Sequence, residues 1–173
     1  MTKMTSAYAN KILKKLQDDK QYLLSKECNE NTYECAEGEE ALIPDYSYEE
    51  TRAKLAEIEE KIVTIKHAVN VANTTSKLTV DGKELTVDSI LVRMAMLNSR
   101  RDTLSSMRLS QPKTRMRMIT STTGKNVPEY RYLNYDVETV KKDYEMIDSE
   151  LAKLQLALDN YNHTCELEVD IDI

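Results

Sequence analysis

Apolar residues step by three and four along four stretches of this chain, and that period predicts four amphipathic helices. The first covers residues 6–26, with Ile12, Leu13, Leu16 and Leu23 on one side. The second opens just after Pro44 with the capping box Ser47-x-x-Glu50. Its seam of Leu55, Ile58, Ile62, Ile65, Val69 and Ala72 keeps a heptad spacing, so it should lie against a neighbour at the shallow angle of bundles and coiled coils. The third runs from an Asp88 cap to about Met107 along Ile90, Met94, Leu97, Arg101, Leu104 and Arg108. The fourth starts at an Asp136 cap and carries Val140, Tyr144, Ile147, Leu151, Leu154, Leu158 and Tyr161.

Between the helices the period shortens to two. After Asn73-Thr74-Thr75, the segment LTVDGKELTV reads as a tight hairpin in which Asp81-Gly82 supply the positive φ angles of the turn. A second hairpin is expected across TRMRMITSTTGKNVPEYRYLNYD. There Arg115 and Arg117 alternate with Met116 and Met118, Tyr130 and Tyr132 flank Arg131, and Gly124 sits near the turn. The segment CELEVDID closes as an extended strand. The expected fold is therefore mainly α: antiparallel helical hairpins with coiled-coil-like packing, two short β-hairpins and a C-terminal strand. One domain over residues 1–173 fits the length.

Helices two and four match at an offset of 89 residues, Leu55, Ile58, Ile62, Ile65 and Val69 corresponding to Tyr144, Ile147, Leu151, Leu154 and Leu158. Heptads alone would produce that. They would not produce the shared exit NTTSKLTVD and NHTCELEVD, so a pseudo-repeat of residues 6–87 and 88–173 is expected. Asn73 and Asn162, equivalent in that exit, read either as left-handed helix C-caps or as ligand contacts. Strands this short are marginal alone and should pair with each other or across subunits. With two heptad seams, that suggests a homo-oligomer.

Composition narrows the function. Thirty acids against 24 Lys and Arg give a net charge of −6, which argues against extended nucleic acid as a partner. Three Gly and three Pro suit long helices, and no apolar run is long enough to span a bilayer. Cys28, Cys35 and Cys165 form no CxxC, and the amphipathic start MTKMTSAYANKILKKL has no signal-peptide core; a cytoplasmic protein with reduced thiols, and no membrane association, is expected. Residues 27–46 form an acidic loop with seven carboxylates (Glu27, Glu30, Glu34, Glu37, Glu39, Glu40, Asp45) and no Lys or Arg.

Arginine is unevenly placed. Six of eight fall between residues 93 and 117: Arg93, Arg100, Arg101, Arg108, Arg115 and Arg117, with Asp102 as the single acid of that window. A guanidinium on a packing face has to be paired or to line a wet cavity. Either these residues bridge to helix-four acids such as Asp143, Asp148 or Glu150, or they line a site for an anionic small molecule, a nucleotide or cyclic nucleotide, against which Tyr130 and Tyr132 could stack. Tyr in a hairpin is also ordinary cross-strand packing. His67 and His163 belong to no metal motif, and GxSxG, GxGxxG and GxxxxGK[ST] are missing. No enzyme, metal or cofactor is expected.

The helix exit VNVANTTSKL, the DGKELTV hairpin, the helix ILVRMAMLNSRRDTL and the closing NYNHTCELEVD together resemble the septicolysin-like family of small helical bacterial proteins. The resemblance runs from about residue 7 to 170, with the acidic loop as its variable part, and the family has Trp where this chain has His163. It implies a small helical fold. The family name implies membrane attack, for which the sequence offers neither a secretion signal nor an exposed apolar hairpin long enough to insert. The expected function is a non-enzymatic oligomeric binding protein that sequesters an anionic signal nucleotide as a sponge would. The alternative is an assembly module acting through its helical seams, and a membrane-active toxin comes last.

Overall fold

A computed structural model describes residues 1–116 and 129–171. The elements in order are β1 (Thr2–Thr5), α1 (Ser6–Glu30), α2 (Tyr48–Thr75), β2 (Lys77–Val80), β3 (Lys83–Thr86), α3 (Val87–Arg108), β4 (Lys113–Arg115), β5 (Tyr130–Tyr132), α4 (Val137–Thr164) and β6 (Glu166–Val169). The protein is mainly helical with short antiparallel strand pairs. Arg117, Met118 and the turn predicted at Gly124 lie outside the described residues.

Helix starts follow the capping residues. The Thr5 side chain accepts the Tyr8 N–H at 3.3 Å and begins α1; the Ser47 hydroxyl accepts the Glu50 N–H at 3.4 Å and begins α2. Of the predicted capping box only this half forms, since the Glu50 carboxylate faces Lys54 at 3.8 Å. Asp136 caps α4 most fully: its carboxylate takes the Thr139 hydroxyl at 2.7 Å and the N–H groups of Thr139 and Glu138 at 3.1 and 3.3 Å. Asp88 does not cap α3. It sits in the first turn, one residue inside a helix that starts at Val87, where it still favours the positive end of the dipole. The first helix runs four residues past its predicted end, into the acidic loop.

Two compact units divide the chain. The first comprises Met1–Leu78, Thr86–Asp88 and Leu158–Ile173; the second, Thr79–Leu85 and Ser89–Ala157. In the first, Ala9 and Leu13 of α1 meet Ile65 of α2, with Ile12, Leu16, Ile62, Val69 and Ala72 around them. Apart from Ala9 these are positions the period predicted, and every one is less exposed than its off-seam neighbour Val63. The core is closed by β1 and β6, antiparallel with Met4 opposite Leu167 and Thr2 opposite Val169. Met4, Leu167 and Val169 point inward, while Lys3 and Glu168 face each other outside at 3.3 Å. Residues 2–5 carry no strand signal of their own, because four residues with one apolar side chain hold too little pattern.

The second unit pairs α3 with α4. Ile90, Leu97 and Leu104 are buried on α3, Val140, Leu151 and Leu154 on α4. The β2–β3 turn has φ of +49° at Asp81 and +77° at Gly82, as the Asp-Gly pair predicted.

Bounds of the elements repeat. Tyr48–Thr75 and Val137–Thr164 begin and end 89 residues apart, as do Lys77–Val80 and Glu166–Val169; β1 and β3 are 81 apart. With the boundary moved from residue 87 to the β2–β3 turn, the first half reads strand–helix–helix–strand and the second repeats that order with β4 and β5 inserted between its helices. The compact units do not follow those halves, and the flanking strands of neither half pair with each other. Instead β1 pairs with β6 and β2 with β3. Each strand has one partner within the chain, so the pairing of these strands does not itself require a second subunit.

Burial and capping lead to two expectations. Ile65, fully buried, should cost about 2–5 kcal/mol as Ile65→Ala, while Val63→Ala two residues away changes stability by under about 0.5 kcal/mol; urea denaturation measures both. Hydrogen bonding to Thr139, first its hydroxyl and then its N–H, holds the Asp136 pKa below its ordinary 3.8. Its stabilisation is therefore present above about pH 3.8 and lost as pH falls through the lower folded-state value. Asp136→Ala should be less stable than wild type at neutral pH, with the gap closing in acid, as denaturation across a pH series would record.

Candidate functional site

The arginines sit where the period placed them, on and beside the packing stripe of α3, and α4 answers them with acids and one tyrosine. Arg93 donates from Nε and Nη2 to both oxygens of Glu150, at 2.9 and 3.1 Å. That bonding holds the Arg93 pKa above its ordinary value. Arg101 reaches Asp148 at 3.4 Å. The Arg108 guanidinium stacks 3.8 Å from the Tyr144 ring centroid, with its Nε buried and without a hydrogen-bond partner. As the α3 numbers rise the α4 numbers fall, so the two helices are antiparallel.

These groups do not converge. From Arg93 to Arg108 is fifteen residues of helix, or roughly 22 Å along its axis. Each of the three has its own neighbour on α4, and Arg100 and Arg115 are exposed. Of the two sequence readings, the interhelical bridge describes Arg93 and Arg101, and two of the three acids named for it take part. Arg117 lies outside the described residues.

Tyr130 and Tyr132 lie on one face of the β4–β5 hairpin, opposite Arg115 and Lys113 in register. Lys113 Nζ stands 4.1 Å from the first ring centroid and 5.4 Å from the second. The hairpin is tied to the end of α3 by Tyr135, whose hydroxyl donates to the Met107 carbonyl at 3.0 Å. Asn73 and Asn162 are not left-handed caps. Both lie inside the last helical turn, half-buried, and Asp81 is the one described non-glycine residue with positive φ. Ser76 is the C-cap of α2, in extended backbone, because the chain passes straight into β2. Both asparagines belong to the first unit and the arginines of α3 to the second.

A concavity of about 790 Å³ lies in the second unit, between the β2–β3 turn and the facing sides of α3 and α4. Lys83, Lys142, Lys153 and Arg93 line it together with Asp81, Glu145 and Glu150. Lys153 is taken by Asp81 at 2.7 Å and Arg93 by Glu150, while Lys83 and Lys142 enter no ion pair among the described residues. Sequence reasoning missed these lysines because single surface lysines carry no period and no motif. Among the described residues no helix is long and apolar enough to cross a membrane, and no group of three His, Cys, Asp or Glu could hold a metal ion.

The fold is found in a solved structure. A crystal structure of a functionally unknown conserved protein from Corynebacterium diphtheriae aligns with 96% of this chain and 100% of its own, at a TM-score of 0.73 and 16% identity. At that identity the likeness concerns the fold alone. No family model matches the sequence, and no curated protein matches it.

The Arg93–Glu150 pair is 52% and 41% exposed, so water and salt screen it. A double-mutant cycle with Arg93→Ala and Glu150→Ala should give a coupling below about 1 kcal/mol that shrinks as salt is raised. Several kcal/mol, insensitive to salt, would mean the pair is sequestered.

Proposed function

We propose that this chain is a non-catalytic protein-interaction module whose partner covers the outer face of α3. One observation carries the reading. Eight of the eleven residues from Val87 to Leu97 are apolar, on every side of the helix, yet the described residues cover only one side. Val87, Ile90 and Leu97 are buried, while Leu91, Val92 and Met96 stand 45%, 55% and 66% exposed, with Ala95 between them. A helix apolar all round is normally buried all round, and an apolar strip of this kind is a usual seat for a partner helix. In this reading the pairs α1–α2 and α3–α4 are coiled-coil-like hairpins that stiffen the strip, the protein works in the cytoplasm, and the bridges of Arg93 and Arg101 hold α3 in place. The heptad seams face inward, so recruitment uses the outer faces instead.

A second reading keeps the anionic small molecule but moves it to the concavity beside the β2–β3 turn. It is favoured by two lysines there that enter no ion pair among the described residues and by a volume in the ligand range. Two measurements separate the readings. Co-purification from native cells should recover a protein with wild type and lose it with Val92→Asp/Met96→Asp, circular dichroism showing both folded; an identical set from both would sink the first reading. Thermal shift against nucleotides, cyclic nucleotides and inorganic phosphate should show no stabilisation. A shift abolished by Lys83→Glu/Lys142→Glu would establish the second.

A further inference from the structure

The two halves of the repeat join their helices by connections of opposite character. Residues 31–47, between α1 and α2, carry Glu34, Glu37, Glu39, Glu40 and Asp45 and no cation, with Leu42 and Ile43 in their midst. Those two side chains are 91% and 68% exposed, so the described residues leave them largely uncovered. The connection between α3 and α4 is the β4–β5 hairpin. Alternation puts Lys113, Arg115, Tyr130 and Tyr132 on one of its faces and Arg131 on the other. Arg115 and Arg131 have no partner among the described residues, and the two rings remain 42% and 63% exposed. Tyr and Arg are the side chains that most often anchor interfaces. A face of rings and cations fits an acidic segment that carries two apolar residues, and this sequence contains one.

We infer that the acidic connection of one copy docks on the tyrosine–cation face of the β4–β5 hairpin of a second copy. Charge complementarity selects the occupant: carboxylates of residues 37–45 meet Lys113 and Arg115, and Leu42 and Ile43 cover the rings. The surfaces differ, so the contact is heterologous, and each copy keeps a free hairpin and a free acidic segment. Assembly therefore proceeds head to tail and closes only where the geometry forms a ring. The contact uses neither the outer face of α3 nor a partner other than the chain itself, so it stands or falls separately from the proposed function.

Sedimentation equilibrium on the full chain tests it. In about 50 mM salt the mass should rise with concentration above the 19.9 kDa monomer, and about 500 mM salt should weaken association by at least about tenfold. Reversing the acidic side (Glu37→Lys/Glu39→Lys/Glu40→Lys) or the hairpin face (Lys113→Glu/Arg115→Glu) should leave each protein monomeric. Mixing the two should restore assembly, because the reversed acidic segment of one then faces the reversed hairpin of the other. Wild type that stays monomeric at about 100 μM in low salt overturns the inference, and this needs no variant to fold. Association unaffected by either reversal overturns it as well, as does a mixture that remains monomeric while circular dichroism shows both variants helical.

Discussion

Backbone groups leaving a helix need new partners, and here they find them across the repeat. β1 meets β6 and β2 meets β3, so the flanking strands of each half find their partners in the other. Strands of four residues would not hold alone. They hold because Met4, Leu167 and Val169 on the inner face join Ala9, Leu13 and Ile65 in one core, so that pairing and burial support each other. Segments far apart in sequence must meet before that sheet exists, which makes it the most non-local contact of the first unit.

In the second unit the same economy governs charge. A guanidinium on a packing stripe has to be answered locally, and α4 supplies Glu150, Asp148 and the Tyr144 ring at successive levels. Arg93, Arg101 and Arg108 are thus answered separately, at levels spread along the helix. The buried, unpartnered Nε of Arg108 is the exception, where stacking on an aromatic face replaces hydrogen bonding. Beyond these pairs the chain presents the exposed apolar turns of α3, the concavity beside the β2–β3 turn, and two connections of opposed charge.

Much of this was legible in the residues. The stepping of Leu55 to Ala72 and of Val140 to Tyr161 fixed which faces are covered, because a helix shows the same side every 3.6 residues. Asp81-Gly82 defined its turn, because few residue pairs accept positive φ twice. Ser47 and Asp136 marked helix starts, because an N-cap needs a short acceptor side chain. The offset of 89 residues, read from side chains, recurs in the bounds of the elements themselves.

Other features were set only by tertiary structure. Residues 2–5 became a strand because β6 was there to receive them, and no local period announces a partner 160 residues away. Asn73 and Asn162 stayed helical because a strand follows at once and leaves no place for a left-handed cap. Clustering of arginine in sequence says nothing of convergence in space, since a helix spreads neighbours along its axis and around its circumference. Local periodicity and turn chemistry determined the elements and their inward faces; which strands pair, which acid meets each arginine, and which apolar turns stay uncovered were decided by contacts that exist only once the chain has folded.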